Sequence, residues 1–151
     1  MNQPAYFNWT NDDYERMVMH ILFYLEPFEF NKNELIYNEL DEVLCIHFVN
    51  EGSVMFGYEF NKKQKLILSV KNFVYGVFEV TYNKRSCMLI KAETYINGYF
   101  IRKKFWLEIK KIFPRGWEMI KRREFMYMKL LFTISEESLT STTINSRGQY
   151  I

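Results

Sequence analysis

The stretch FVYGVFEVTYNKRSCMLIKAETYINGYFIRKKFW, residues 73–106, decides how this chain is read. Gly76 opens a compact loop and the pair Arg85-Ser86 closes it. Two strand-like runs follow, Ser86 to Ala92 and Thr94 to Ile101, and the second feeds a basic segment that starts at Arg102. A glycine lets backbone amides approach a bound group closely, and an arginine offers a planar charge with paired donors. The order therefore suits a site for a small anion.

Toward the N-terminus, Glu34–Glu39, Val43–Val49, Ser53–Phe60 and Lys65–Val70 read as strands. Leu40-Asp41-Glu42, Asn50-Glu51-Gly52 and an Asn-Lys-Lys-Gln run at 61–64 read as the turns between them. Short strands broken by turns at this spacing predict an antiparallel roll or sandwich. Ahead of them, Tyr14, Met17, Val18, Ile21, Leu22 and Leu25 recur at helical spacing. They predict a helix capped by Asn11, Asp12 or Asp13 and ended by Pro27.

On the C-terminal side the period becomes helical again. Phe105, Trp106, Ile109, Ile112 and Phe113 share one side of a helix over Lys103–Phe113, with Lys104, Lys110 and Lys111 outward. Pro114-Arg115-Gly116 breaks it, and a second helix is expected from about Arg115 to Ile134, with Trp117, Ile120 and Met128 on its apolar side. Residues 135–151 hold seven Ser or Thr and little periodicity, so they read as a mobile tail; residues 1–11 read as an N-terminal extension. The expected fold class is α+β: an antiparallel β-roll, jelly-roll-like, of about eight strands, with one N-terminal and two C-terminal helices, forming one domain over residues 12–134.

Composition narrows the function. Aromatics make up 19% of the 151 residues, which implies much half-buried sheet surface. The net charge of +2 hides an asymmetry: residues 1–60 carry 11 acidic and 2 basic side chains, residues 102–123 carry 9 basic and 2 acidic. Either the two regions face each other or the basic face meets an anionic partner. Cys45 and Cys87 each sit in an apolar run, which argues against a disulfide scaffold and for buried thiols in a reducing, cytoplasmic setting. No apolar run is long enough to span a bilayer, and the N-terminus does not read as a signal peptide. His20 and His47 lack metal-ligand spacing, so both are read as structural. Nucleophile motifs, phosphate loops of the Walker type and paired carboxylates are absent, so no enzyme, no catalytic residue, no metal and no cofactor is expected.

This order of elements, with the Gly76 to Ser86 loop between the sixth and seventh strands, resembles the cyclic-nucleotide-binding domain over residues 12–134. Gly52 lies where the family has its turn glycine between the third and fourth strands, and Gly76 lies where the phosphate-binding cassette begins. Arg85-Ser86 matches the arginine and small residue at its end, and Gly98 to Trp106 looks like the last strand running into the B helix. The wording is most similar to the cytosolic domain of cyclic-nucleotide-gated-type potassium or cation channels of ciliates. The resemblance implies cAMP or cGMP as ligand, with cassette amides and an arginine on the cyclic phosphate and the C helix folded over the base. Gly76, Val77, Glu79, Arg85 and Ser86 are the ligand-binding residues it points to.

One departure matters. Where the family has Gly-Glu this chain has Gly76-Val77, and Glu79 comes three residues after the glycine, so the cassette is degenerate. By itself Glu79 reads as a solvated or arginine-paired carboxylate. The expected role is that of a non-catalytic regulatory domain, the gating module on the cytosolic side of an ion channel. Its partners would be a cyclic nucleotide, other subunits or the rest of the channel, and an anionic membrane surface reached through the basic helices. Nucleic acid is not favoured, because the aromatics of the basic run fall on apolar helix faces. The alternative is a ligand-free structural or protein-interaction module of the same fold, its pocket filled by Phe78 or the C-terminal segment.

Overall fold

The computed structural model describes residues 12–147. Helix α1, Asp12–Phe23, buries Met17 and Ile21, a pair one turn apart, and leaves Leu22 exposed. It closes two residues earlier than its apolar spacing implies, because Tyr24 and Leu25 donate to Ile21 and Leu22 in a tightened last turn. Glu26 then opens β1, Glu26–Phe30, a strand the sequence reading did not contain. Pro27 sits inside it and is tolerated because β1 is an edge strand.

The remaining strands are β2 (Leu35–Tyr37), β3 (Cys45–Glu51), β4 (Ser53–Phe60), β5 (Lys63–Lys71), β6 (Val74–Tyr75), β7 (Leu89–Ala92) and β8 (Ile96–Arg102). They form two antiparallel four-stranded sheets, β1-β8-β3-β6 and β2-β7-β4-β5. This is the expected antiparallel roll of eight strands. Between its sheets lies a core of Val54, Phe56, Ile90, Ala92 and Ile96, with Phe28, Phe30, Phe73 and Tyr75 packed against it. Gly52 makes the β3–β4 turn at φ 94°, a conformation that side-chain-bearing residues rarely adopt.

A six-residue helix, α2 (Val77–Tyr82), fills the loop between β6 and β7. After β8 come α3 (Lys103–Ile112) and the long α4 (Pro114–Arg147), so the break expected at Pro114 is present. Helix α4 runs on past Ile134 into the Ser- and Thr-rich segment, whose sequence contains no proline and a single glycine, Gly148. Serine and threonine are weak helix formers, not breakers, so nothing there forces a stop. The N-terminal extension over 1–11 lies outside the described residues.

A second core joins the helices to the roll. Met17, Ile21, Val43, Ile46, Val77, Val80, Ile101, Trp106, Ile109, Trp117 and Ile120 are buried together. Fully burying a side chain of this size contributes roughly 1.5–3 kcal/mol, so α3 and the first turns of α4 are fixed chiefly by Trp106, Ile109, Trp117 and Ile120. Ile112 is exposed instead of facing this core. The acidic and basic halves meet in an ion pair, in which Arg102 grips Glu26 with two hydrogen bonds of 2.7 and 3.1 Å. That bond holds the Glu26 carboxyl below the usual carboxylate range.

Candidate ligand site under the cassette helix

Helix α2 forms where the sequence Val-Phe-Glu-Val-Thr-Tyr reads as easily as a strand. Its ends decide the matter. Gly76 caps it at φ 98° and Asn83 closes it at φ 52°, both left-handed, with the Lys84 amide donating to the Glu79 carbonyl. Trp106 Nε1 donates to Thr81 Oγ1 at 3.1 Å, and Tyr82 Oη donates to the Lys121 carbonyl at 2.7 Å. The short helix is thereby tied to both α3 and α4.

Gly76 has a packing reason of its own. A Cβ built there would lie 2.6 Å from the Cys45 carbonyl oxygen of β3, closer than any side chain tolerates. The glycine seats α2 against the roll whether or not anything binds.

Beneath α2 is a cavity of about 250 Å³. That is slightly below the range of roughly 300–1,000 Å³ usual for small-molecule clefts. Val77 and Phe78 of α2, Tyr75 of β6, Trp106 of α3 and Met128 of α4 are among its lining residues. Gly76 and Glu79 also line it; Arg85 and Ser86 do not. Three of the five residues named from the sequence are therefore brought together here, and two are not.

Glu79 is neither solvated nor paired with arginine: it is buried, with 4% of its surface exposed. Burial raises its carboxyl to about 7, helped by the charge of Glu124 across the cavity and opposed by a hydrogen bond to its own backbone and one from Tyr75. The Tyr75 hydroxyl also lies 2.6 Å from Ser86 Oγ, and Ser86 donates to the Met88 carbonyl at 2.7 Å. Each hydroxyl carries one proton. With the Ser86 proton on Met88, Ser86 and Glu79 compete for the one proton of the Tyr75 hydroxyl. Burial therefore favours the neutral state of Glu79, and the hydrogen bonds it accepts oppose that only in part.

Arg85 faces the other way. Its Nη1 donates to the Leu40 carbonyl at 2.9 Å, and its backbone bridges Glu42. Ser86 completes that clamp: its amide donates to the Asp41 carbonyl, and its own carbonyl accepts from Leu40. The pair that ends the cassette thus fastens the 40–42 turn.

The cysteines depart from expectation. Cys45 is half-buried in β3, and Cys87 is exposed between α2 and β7, beside the cavity; burial raises both thiols. His47 is ringed by Phe28, Tyr37 and Phe100, and burial pushes it down to about 4, so it stays neutral. Among the described residues no three His, Cys, Asp or Glu gather as a metal site, and no helix is long and apolar enough to cross a membrane.

No protein-family model matches the sequence, and no curated protein sequence matches it. Solved structures do match in fold. A Ruegeria pomeroyi protein described as a candidate cyclic nucleotide binding protein aligns over 82% of this chain and 55% of its own, at 15% identity and TM-score 0.64. PKAR CBD2 with bound Sp-2Cl-cAMPS aligns over 86% of this chain and 82% of its own, at 18% identity and TM-score 0.62. PfPKA-R with bound cAMP aligns over 70% of this chain and 37% of its own, at 16% identity and TM-score 0.58. The chain spans about half of the first of these and less of the last. It has the cyclic-nucleotide-binding-domain fold.

Proposed function

We propose that residues 12–134 form a non-catalytic regulatory module of this fold, in which filling the cavity biases the position of α4. The observation that supports this most is that the cassette and α4 share the cavity. Val77 and Phe78 line one side, and Glu124, Met128 and Leu130 of α4 line another. A group in this space touches both, and such differential contact is what allows a ligand to shift a two-state element.

Proteins of the same fold hold cAMP or an analogue, so cAMP and cGMP are the first ligands to test. Gly76, Val77 and Glu79 line the cavity, which supports them as ligand contacts; Arg85 and Ser86 would first have to leave the partners described above. Hydrogen exchange of α4 should change when millimolar cAMP or cGMP is added, or when Met88→Trp fills the cavity from within. Unaltered exchange in all three cases would end the regulatory reading.

The outward turn of Arg85 supports a second reading, a ligand-free interaction module. In that case only Met88→Trp perturbs the protein. A place at the cytosolic side of an ion channel, against other subunits and an anionic membrane surface, is supported by exposed Lys104, Lys110, Lys111, Arg115 and Arg122. Salt-sensitive sedimentation with phosphatidylserine vesicles checks the membrane part.

A further inference from the structure

The chemistry of the cavity is not that of an anion site. Among the described residues that line it there is no lysine or arginine; the charged groups are Glu79 and Glu124. The rest is chiefly rings and thioethers, with Phe48, Phe73, Tyr75, Phe78, Trp106 and Met128 prominent. A cyclic phosphate placed here meets carboxylates and no counter-charge. A cation meets the opposite: a carboxylate withdrawn from water, where attraction is poorly screened, and ring faces whose quadrupoles are negative.

We propose that this cavity takes a compact organic cation, an amine or quaternary ammonium, with Glu79 as its counter-ion and the aromatic rings as its walls. The inference rests on the reading of the cavity as the module's ligand site. Without a cation, burial of Glu79 favours the protonated carboxyl. An arriving cation favours the carboxylate, so below about pH 7 binding releases a proton to solvent. The groups that act on Glu79 from the surrounding elements are Tyr37 of β2, Tyr75 of β6, Cys87 before β7 and Glu124 of α4, none of them basic.

The test titrates the full chain with choline and with dimethylbutanol, its uncharged carbon isostere, at about pH 8, reading Trp106 fluorescence and methyl NMR lines. Choline should bind saturably and at least about tenfold tighter than the isostere, and Glu79→Gln should remove about that factor. Below about pH 7 choline should weaken in the wild type and not in Glu79→Gln. Equal affinity for the isostere, no choline binding, indifference to Glu79→Gln, or tighter binding of cAMP than of choline would each overturn the proposal. Should Glu79→Gln fail to fold, Phe78→Leu serves, and it should weaken choline while sparing the isostere. If cAMP or cGMP moves α4 and choline does not bind, the cation is wrong and the regulatory reading stands; if choline binds and α4 ignores it and Met88→Trp alike, the reverse holds.

Discussion

The two halves of the cassette face opposite ways. Gly76 to Val80 packs inward: Gly76 against the β3 backbone, Val77 and Val80 in the helical core, Glu79 at the cavity. Asn83 to Arg85 is exposed, and Arg85 holds the 40–42 turn from outside. A motif written as glycine, a gap and Arg-Ser suggests one concave site with all its parts converging. Here the motif marks a position in the fold, and its ends are held by different neighbours for different reasons. The inner half is under packing constraint and carries a buried acid; the outer half is a surface fastening.

The largest effect expected from this contrast comes at Gly76. Gly76→Ala places a Cβ against the Cys45 carbonyl in a left-handed backbone, and should cost about 4 kcal/mol in denaturant unfolding, through strain and displacement of α2 together. Gly52→Ala is the natural control, because its Cβ would lie 2.3 Å from the Tyr95 carbonyl at nearly the same φ, and Gly52 does not line the cavity under α2. Similar losses support packing as the reason for both. A loss confined to Gly52 would mean that Gly76 is kept for something other than the fold.

Glu79 is the next test of the inner half. Its carboxyl titrates near 7 when folded, above the ordinary 4.5, so the protonated form is the one folding favours. The associated stability is present in full below about pH 4.5 and is lost as pH rises through about 7. The span corresponds to about 3 kcal/mol at most. Tyr75 and Cys87, also raised, ionise above this window, and Glu26 and Glu93 titrate below it; His47, held down to about 4, acts inside it but is common to both proteins, so subtracting the wild-type curve isolates Glu79. Glu79→Gln should therefore match the wild type near pH 4 and exceed it at pH 8; equal stability at both would return Glu79 to solvent.

Ser86 sits between the halves, buried to 1% exposure. Ser86→Ala removes the partner of the Tyr75 hydroxyl and the donor to the Met88 carbonyl, and should cost about 2 kcal/mol, the usual penalty for stranded buried polar groups. A neutral substitution would show that water replaces the hydroxyl.

How much of this could be read from residues alone follows the same division. Helix α1, strand β4 with the bounds given above, and the break at Pro114 follow from periodicity and turn chemistry, which are local. Strand β1 was hidden by Pro27, since a proline argues against a strand unless its edge position is known. Helix α2 was hidden because its β-branched and aromatic residues prefer extended backbone; caps at Gly76 and Asn83 and bonds from Trp106 and to Lys121 overrule that preference. Glu79 had one available signal, its place between Phe78 and Val80 in an otherwise apolar run. The direction of Arg85 had none. Spacing along the chain shows that an arginine ends the cassette, while its partner is a carbonyl 45 residues away.

That arginine gives the smallest expected change and the sharpest test of the contrast. Arg85→Ala deletes one exposed hydrogen bond to the Leu40 carbonyl and leaves the Glu42 backbone bridge in place, so unfolding should shift by no more than about 1 kcal/mol. Cyclic-nucleotide affinity is the second readout. With Arg85 outside the cavity, the variant should bind cAMP as the wild type does, weakly or not at all. A loss of about tenfold or more would mean that Arg85 leaves Leu40 and turns inward when nucleotide arrives. The two halves of the cassette would then converge on ligand after all, and the separation described here would belong to the empty state alone.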